Sequence, residues 1–305
     1  MEAVTRNFFL LLSKSNWLNE MARKRGGSIV TGKIIAGTDF PSSVQIIKDL
    51  NSKGLATTVD HLGEFVNSKE TAIERTKEAI ETIETIGREK LDSHMSVKMT
   101  SLGLDIDQDL VISNMTSILD TAEKHGVMVT IDMEDEPRCE KTLELFKQFK
   151  ESYSCVSTVL QAYLYRTEND LQKLSSLKPF LRLVKGAYKE PAAVAYPDKK
   201  DVDANYKKLI EQSLKYGLYT AVATHDDNMI NYTKELAAKL QIPKDQFEFQ
   251  MLYGMRTKTQ LDLVEQGYKM RVYVPYGRDW YGYFMRRLAE RPANISFAFK
   301  GLVKN

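Results

Sequence analysis

Short runs rich in Val, Ile, Leu, Phe and Tyr alternate along the chain with longer segments whose apolar residues recur every three or four positions among charges, almost to the C-terminus. The runs predict strands within residues 55–62, 96–102, 127–133, 156–164, 180–186, 218–225, 247–253 and 270–276. Helical patterns lie between them, for example ETAIERTKEAIETIETIGREK at 70–90 and DANYKKLIEQSLKYG at 203–217, the latter closed by Gly217. About eight strand–helix units, spaced by roughly 25–40 residues, with runs apolar enough to be covered on both faces, predict an α/β fold of the (β/α)8 TIM-barrel type. The rival is a doubly wound open sheet, but neither its GxGxxG fingerprint nor a GxxxxGK[ST] phosphate loop is present. No internal boundary is visible. Residues 1–50 are expected to form an N-terminal helical extension, and residues 51–305 the barrel catalytic domain.

Composition narrows the class. The 305 residues carry 43 Lys and Arg against 41 Asp and Glu, a net charge of +2, which offers no basic field for nucleic acid. Hydrophobic residues at 43% and charged residues at 28% indicate a folded globular chain. The longest early apolar run, FFLLL at 8–12, is far short of the ~18 residues of a membrane span and lacks a cleavage site, so neither a signal peptide nor a spanning helix is expected. Cys139 and Cys155 form no CxxC, which suits a reducing cytoplasm. His61, His94, His125 and His225 show no paired metal spacing, and no metal is expected.

In a barrel of this type the chemistry sits at the C-terminal ends of the strands. The polar residues interrupting the runs there are Asp60, Glu64, Lys98, Asp132, Glu134, Gln161, Arg182, Lys185, Tyr188, Thr224, His225, Gln250 and Tyr273. Singly, each could solvate the rim. Lys98, Asp132 and Arg182 stand inside apolar runs, where an unpaired charge is expensive, so they require either a ligand or one another in an internal salt-bridge ring. In GRDWYGYFMRRLAERPAN at 277–294, Trp280, Tyr283, Phe284 and Leu288 form one apolar helical stripe with Arg287 near its middle, and Arg286 and Glu290 along its edge. A surface ion pair between Glu290 and the arginines would leave Arg287 facing the core, so two adjacent arginines on a helix capping the mouth read as a carboxylate clamp.

The YVPYG-to-RRLAERPAN stretch at 273–294, with VKMTSLG at 97–103, VLQAYL at 159–164, FLRLVKGAY at 180–188, ATHD at 223–226 and FQMLYGM at 249–255, resembles the proline dehydrogenase family. That resemblance implies a distorted (β/α)8 barrel holding FAD, with the last helix over the mouth. It also implies oxidation of L-proline to Δ1-pyrroline-5-carboxylate, by hydride transfer from C5 to flavin N5. By this likeness Arg286, Arg287 and Lys98 hold the substrate carboxylate, Tyr188, Leu252 and Tyr273 wall the ring, and Asp132 is an active-site acid. Glu64 pairs with the first arginine and latches the site, and Glu290 is counted with the same catalytic set. Gln161, Arg182, Lys185, Thr224, His225 and Gln250 match flavin contacts, joined by Gly186 and Ala187 of the KGAY segment. Asp226 stands where many members have Asn. Long bifunctional members continue into an aldehyde dehydrogenase domain, whereas this sequence stops at Asn305, so only the first oxidation is expected.

The expected partners are L-proline and, as electron acceptor, a quinone at a membrane surface. Arg23, Lys24 and Arg25 are the candidate docking patch, beside the plainer reading of a solvated helix end. The expected location is cytoplasmic, peripheral at the inner face of the membrane. The oligomeric state is left open. Two other readings keep the barrel: an aldolase-like lyase with Lys185 or Lys98 as a Schiff-base nucleophile, and a non-enzymatic binding protein whose charges are structural.

Overall fold

The computed structural model describes residues 35–63 and 65–290, with side chains up to residue 285. Eight parallel strands close on themselves in sequence order. They are β1 (Ala56–His61), β2 (Ser93–Val97), β3 (Val129–Ile131), β4 (Val156–Gln161), β5 (Phe180–Val184), β6 (Tyr219–Ala223), β7 (Phe247–Leu252) and β8 (Lys269–Tyr276). Closure is made by β8 against β1, in a register running from Ala56 opposite Arg271 to His61 opposite Tyr276. The architecture is the expected (β/α)8 barrel.

The helices are α1 (Phe40–Asn51), α2 (Lys69–Arg88), α3 (Gln108–His125), α4 (Glu136–Ser152), α5 (Thr167–Leu174), α6 (Lys199–Lys215), α7 (Asp227–Lys239), α8 (Thr257–Glu265) and α9 (Trp280–Glu290). Each barrel helix shows an apolar face at helical spacing. In α2, Ala72, Ala79, Ile83 and Ile86 are buried, and Ser68 opens the helix by accepting from the Thr71 amide. Asp107 caps α3 in the same way, and Gly126, at φ +65°, closes it. α6 begins at Lys199, four residues before the sequence pattern suggested, and ends just before Gly217 at φ +68°.

One strand lies elsewhere than expected. β2 spans Ser93–Val97, not a run centred in 96–102, because Met99–Leu102 turns into a short 3-10 helix ended by Gly103 at φ +104°. The sequence SHMSV hides the strand, since its inward positions are the polar His94 and Ser96. Of the expected N-terminal extension, the described part contains α1. FFLLL at 8–12 and the cluster Arg23, Lys24, Arg25 lie outside the described residues. Among the described residues no helix is long and apolar enough to cross a membrane, and no group of three His, Cys, Asp or Glu is placed to hold a metal.

Candidate active site

Side chains alternate along a strand, so β2 to β3 and β5 to β8 each present every second residue to the barrel axis. In most barrels these layers are branched aliphatics. Here Ser96, Asp132, Arg182, Gln250 and Tyr273 meet instead, and the node is Asp132. Its Oδ1 accepts from Arg182 Nη1 at 2.6 Å and Ser96 Oγ at 3.1 Å. Its Oδ2 accepts from Tyr273 Oη at 2.6 Å and Lys98 Nζ at 3.4 Å. Lys98 lies closer to Asp60, at 2.8 Å, so one ammonium is shared by two buried carboxylates. The charges read in the sequence as needing partners or a ligand thus find one another.

Burial alone would push the Asp132 carboxyl up, but the Lys98 and Arg182 charges and the Tyr273 and Ser96 hydroxyls more than offset it and hold it below the ordinary carboxylate range. The Tyr273 phenol moves well upward, through burial and then the Asp132 and Asp60 charges, and stays a donor. Arg182 lies over the Tyr273 ring, 5.2 Å from its centroid, and its Nε donates to Gln250 Oε1 at 2.7 Å.

A second ionic layer lies beneath the first. Gln250 Nε2 donates to Glu248 Oε1 at 2.7 Å, and Glu248 takes two bonds from Arg271, at 2.7 and 3.2 Å. Arg271 Nη1 reaches the Thr57 carbonyl at 2.7 Å. Both members of this pair are fully buried. Burial drives the Glu248 carboxyl up, but the Arg271 charge and the bonds from Arg271 and Gln250 hold it below its ordinary value. Ser96, Glu248 and Arg271 are absent from the sequence-based site. Counting back by two from Gln250 would have exposed Glu248.

Several donors and cations of the described residues gather in the β5–β7 sector of the rim. Lys185 Nζ lies 2.5 Å from Asp203 and 2.8 Å from Asp226, and Lys199 pairs with Asp203. Asp226 also opens α7 by accepting from the Asn228 amide at 3.0 Å. Burial raises the Asp226 carboxyl, but Lys185 and that amide bring it below the ordinary range. An asparagine there could keep the cap but not neutralise the lysine. His225 Nε2 accepts from the Leu252 amide at 3.0 Å, which leaves Nδ1 as the donor in the neutral ring. Thr224 is anchored at its amide to the Gln250 carbonyl.

Gln161 is turned aside, donating to the Glu134 carbonyl at 3.1 Å. Glu134 is itself fully buried, accepting from the Thr100 amide and hydroxyl. After β5 the chain turns at Gly186, φ +109°, where a Cβ would stand 2.2 Å from the Tyr163 ring. Ala187 is exposed, and Tyr188 and Leu252 are half-buried at the same end of the barrel. This donor set of guanidinium, ammonium, amides and hydroxyls, beside a glycine turn over an aromatic ring, suits a carbonyl-rich, phosphate-bearing group such as FAD.

Of the expected helical stripe, Trp280, Tyr283 and Phe284 are buried in α9. Glu64 and the side chains of Arg286, Arg287, Leu288 and Glu290 lie outside the described residues.

A sequence model of the family described as proline dehydrogenase matches residues 43–300. "Proline dehydrogenase 2" of Bacillus subtilis is 67% identical over 301 residues, covering 99% of both chains. "Proline dehydrogenase" of Deinococcus radiodurans is 40% identical over 309 residues, covering 100% of this chain and 99% of the other. Among solved structures, proline utilization A of Bdellovibrio bacteriovorus, inactivated by N-propargylglycine, superposes with a TM-score of 0.80 at 27% identity. That match covers 89% of this chain and 34% of the other, so the chain spans about a third of that protein.

Proposed function

The chain belongs to the proline dehydrogenase family and is an oxidoreductase of proline catabolism; from that premise we propose that it binds FAD and oxidises L-proline to Δ1-pyrroline-5-carboxylate. Bound FAD would supply the hydride acceptor for oxidation at C5 of the substrate. The observation that carries the reading is the charged layer around Asp132 at the C-terminal end of the barrel, in place of an aliphatic one.

The protein's own contribution is placement. Lys98, fixed between Asp60 and Asp132, keeps its ammonium at the mouth, and with Arg286 and Arg287 of α9 it holds the substrate carboxylate. Tyr188, Leu252 and Tyr273 wall the ring, with Tyr273 fixed by its bond to Asp132. Arg182, braced by Asp132 on one side and Gln250 on the other, is a fixed positive charge that would offset the negative charge reduction adds to a bound flavin. Lys185, Gly186, Ala187, Thr224, His225 and Gln250 would form the rest of the cofactor's bed, which Gln161 would join by turning from the Glu134 carbonyl. By the same likeness Glu64 would latch α9 through Arg286, with Glu290 counted in the same set.

Asp132 is saturated with donors and ionised, so it orients and does not serve as a proton acceptor; the amine must arrive without its proton, and the rate gain is one of orientation. Lys98 and Lys185 are each engaged by two carboxylates, an arrangement that suits ion pairing and argues against a Schiff-base nucleophile. The electron acceptor we assign is a quinone met at a membrane surface from the cytoplasmic side. The test is the visible spectrum after FAD reconstitution: L-proline added without oxygen should bleach the flavin, and a short-chain quinone should restore it. A protein that takes up no FAD, or a flavin that proline leaves unbleached, refutes the reading.

A further inference from the structure

α9 carries Arg286 and Arg287, and its root is tied to the barrel by a contact outside the charged layer. Asp279, the residue before α9, accepts from Arg75 Nη2 at 3.1 Å, and Arg75 is a residue of α2. The pair spans 204 positions of sequence and is about four-fifths buried on both sides. Arg75 is held in turn, with Nη1 3.0 Å from Glu78 and 3.1 Å from His61 Nε2, at the end of β1. Gly63 lies directly against the pair: at φ +136°, its added Cβ would stand 2.7 Å from Arg75 Nη2 and 2.9 Å from Asp279 Oδ2. The ion pair therefore binds together three pieces of chain, namely the root of α9, the β1 exit leading to Glu64, and α2.

We propose that Arg75 and Asp279 are positioning residues for proline binding, fixing where α9 leaves the barrel and hence where its two arginines stand. The proposal rests on the reading that those arginines hold the substrate carboxylate. A guanidinium bonding Asp279 and Glu78 with separate nitrogens sets direction as well as distance, which a lone surface pair does not. Freed at its root, α9 would sample orientations in which the clamp misses the carboxylate, so affinity suffers while the braced Arg182 and the flavin bed stay in place.

The experiment uses the FAD-loaded full-length enzyme with Asp279→Asn, Arg75→Gln, the double variant, and Asp279→Glu as the charge-keeping control. KM and kcat for L-proline are measured, with the Kd of a non-oxidisable five-membered-ring carboxylate read from the flavin difference spectrum, alongside flavin content and melting temperature. Each single variant should raise KM and Kd by about three- to ten-fold, with kcat and flavin content near the parent's. The double variant should be no worse than the poorer single, since the pair acts as one unit, and Asp279→Glu should recover much of the loss. Singles that melt lower but keep the parent's KM and Kd, or a double variant whose losses multiply, overturn the proposal. A parent whose flavin proline does not bleach refutes instead the functional reading beneath it.

Discussion

Replacing Asp132 by Asn removes one charge and keeps the shape, and the four groups around it set the cost. If the Asn oxygen takes the position of Oδ1, it still accepts from Arg182 and Ser96, but the Arg182 bond is no longer between two charges. The new NH2 then replaces Oδ2. The Tyr273 hydroxyl can turn and accept from it, but the Lys98 ammonium can only donate and loses that contact, retaining Asp60. Three charge-assisted bonds, from Arg182, Ser96 and Tyr273, are weakened and one, from Lys98, worth about 1.5–3 kcal/mol, is lost, so transition-state binding should fall by about 3–4 kcal/mol, or two to three decades in kcat/KM. The assay is proline-dependent dye reduction at saturating FAD, with flavin content checked in parallel. The pH dependence of melting gives a second reading. The folded carboxyl lies below its ordinary value, so its stabilisation is complete above the unfolded value of about 3.9 and is lost only as pH falls through the lower folded value. The gap in melting temperature between parent and variant should stay constant from about pH 8 to 5 and close only in stronger acid. A kcat/KM within about three-fold of the parent at equal flavin content, or a melting gap that has already closed at pH 6, would refute the reasoning.

The deeper pair gives a stability contrast. Glu248→Gln should cost about 3–5 kcal/mol by leaving Arg271 buried without its counter-charge, whereas Glu248→Leu combined with Arg271→Met should recover most of it, as urea melts would show; equal losses in the two proteins would contradict this. Gly186→Ala must displace the Tyr163 ring or the turn, so it should lower the melting temperature and release FAD on gel filtration, and unchanged flavin retention would remove Gly186 from the cofactor bed.

The barrel was legible because parallel strands covered on both faces leave unbroken apolar runs, as in Val156–Gln161 and Phe247–Leu252. β2 was not, since three of its five residues, Ser93, His94 and Ser96, are polar and its apolar signal spilled into the following turn. Lys98, Asp132 and Arg182 stood out as charges in apolar surroundings, and the structure brings all three to one node. Ser96 could not stand out, because a serine in a strand carries no cost to betray it. Glu248 and Arg271 were masked by their neighbours, since in FEFQML and MRVYVPY a single charge looks like a solvated face until the period of two is counted through the closed barrel. Arg75 and Asp279 are 204 positions apart, and no local pattern joins them.

The seam between β1 and β8 has a consequence in time. Ala56 and its neighbours must wait for Arg271–Tyr276 to be synthesised before the ring can close. Until then β1 is an open edge on the nascent chain, and Glu248 has no counter-charge, since Arg271 has not yet emerged. Closing the ring joins positions separated by more than two hundred residues, the kind of non-local contact that slows folding. The ionic interior can therefore be shut off from water only once β8 is in place against β1.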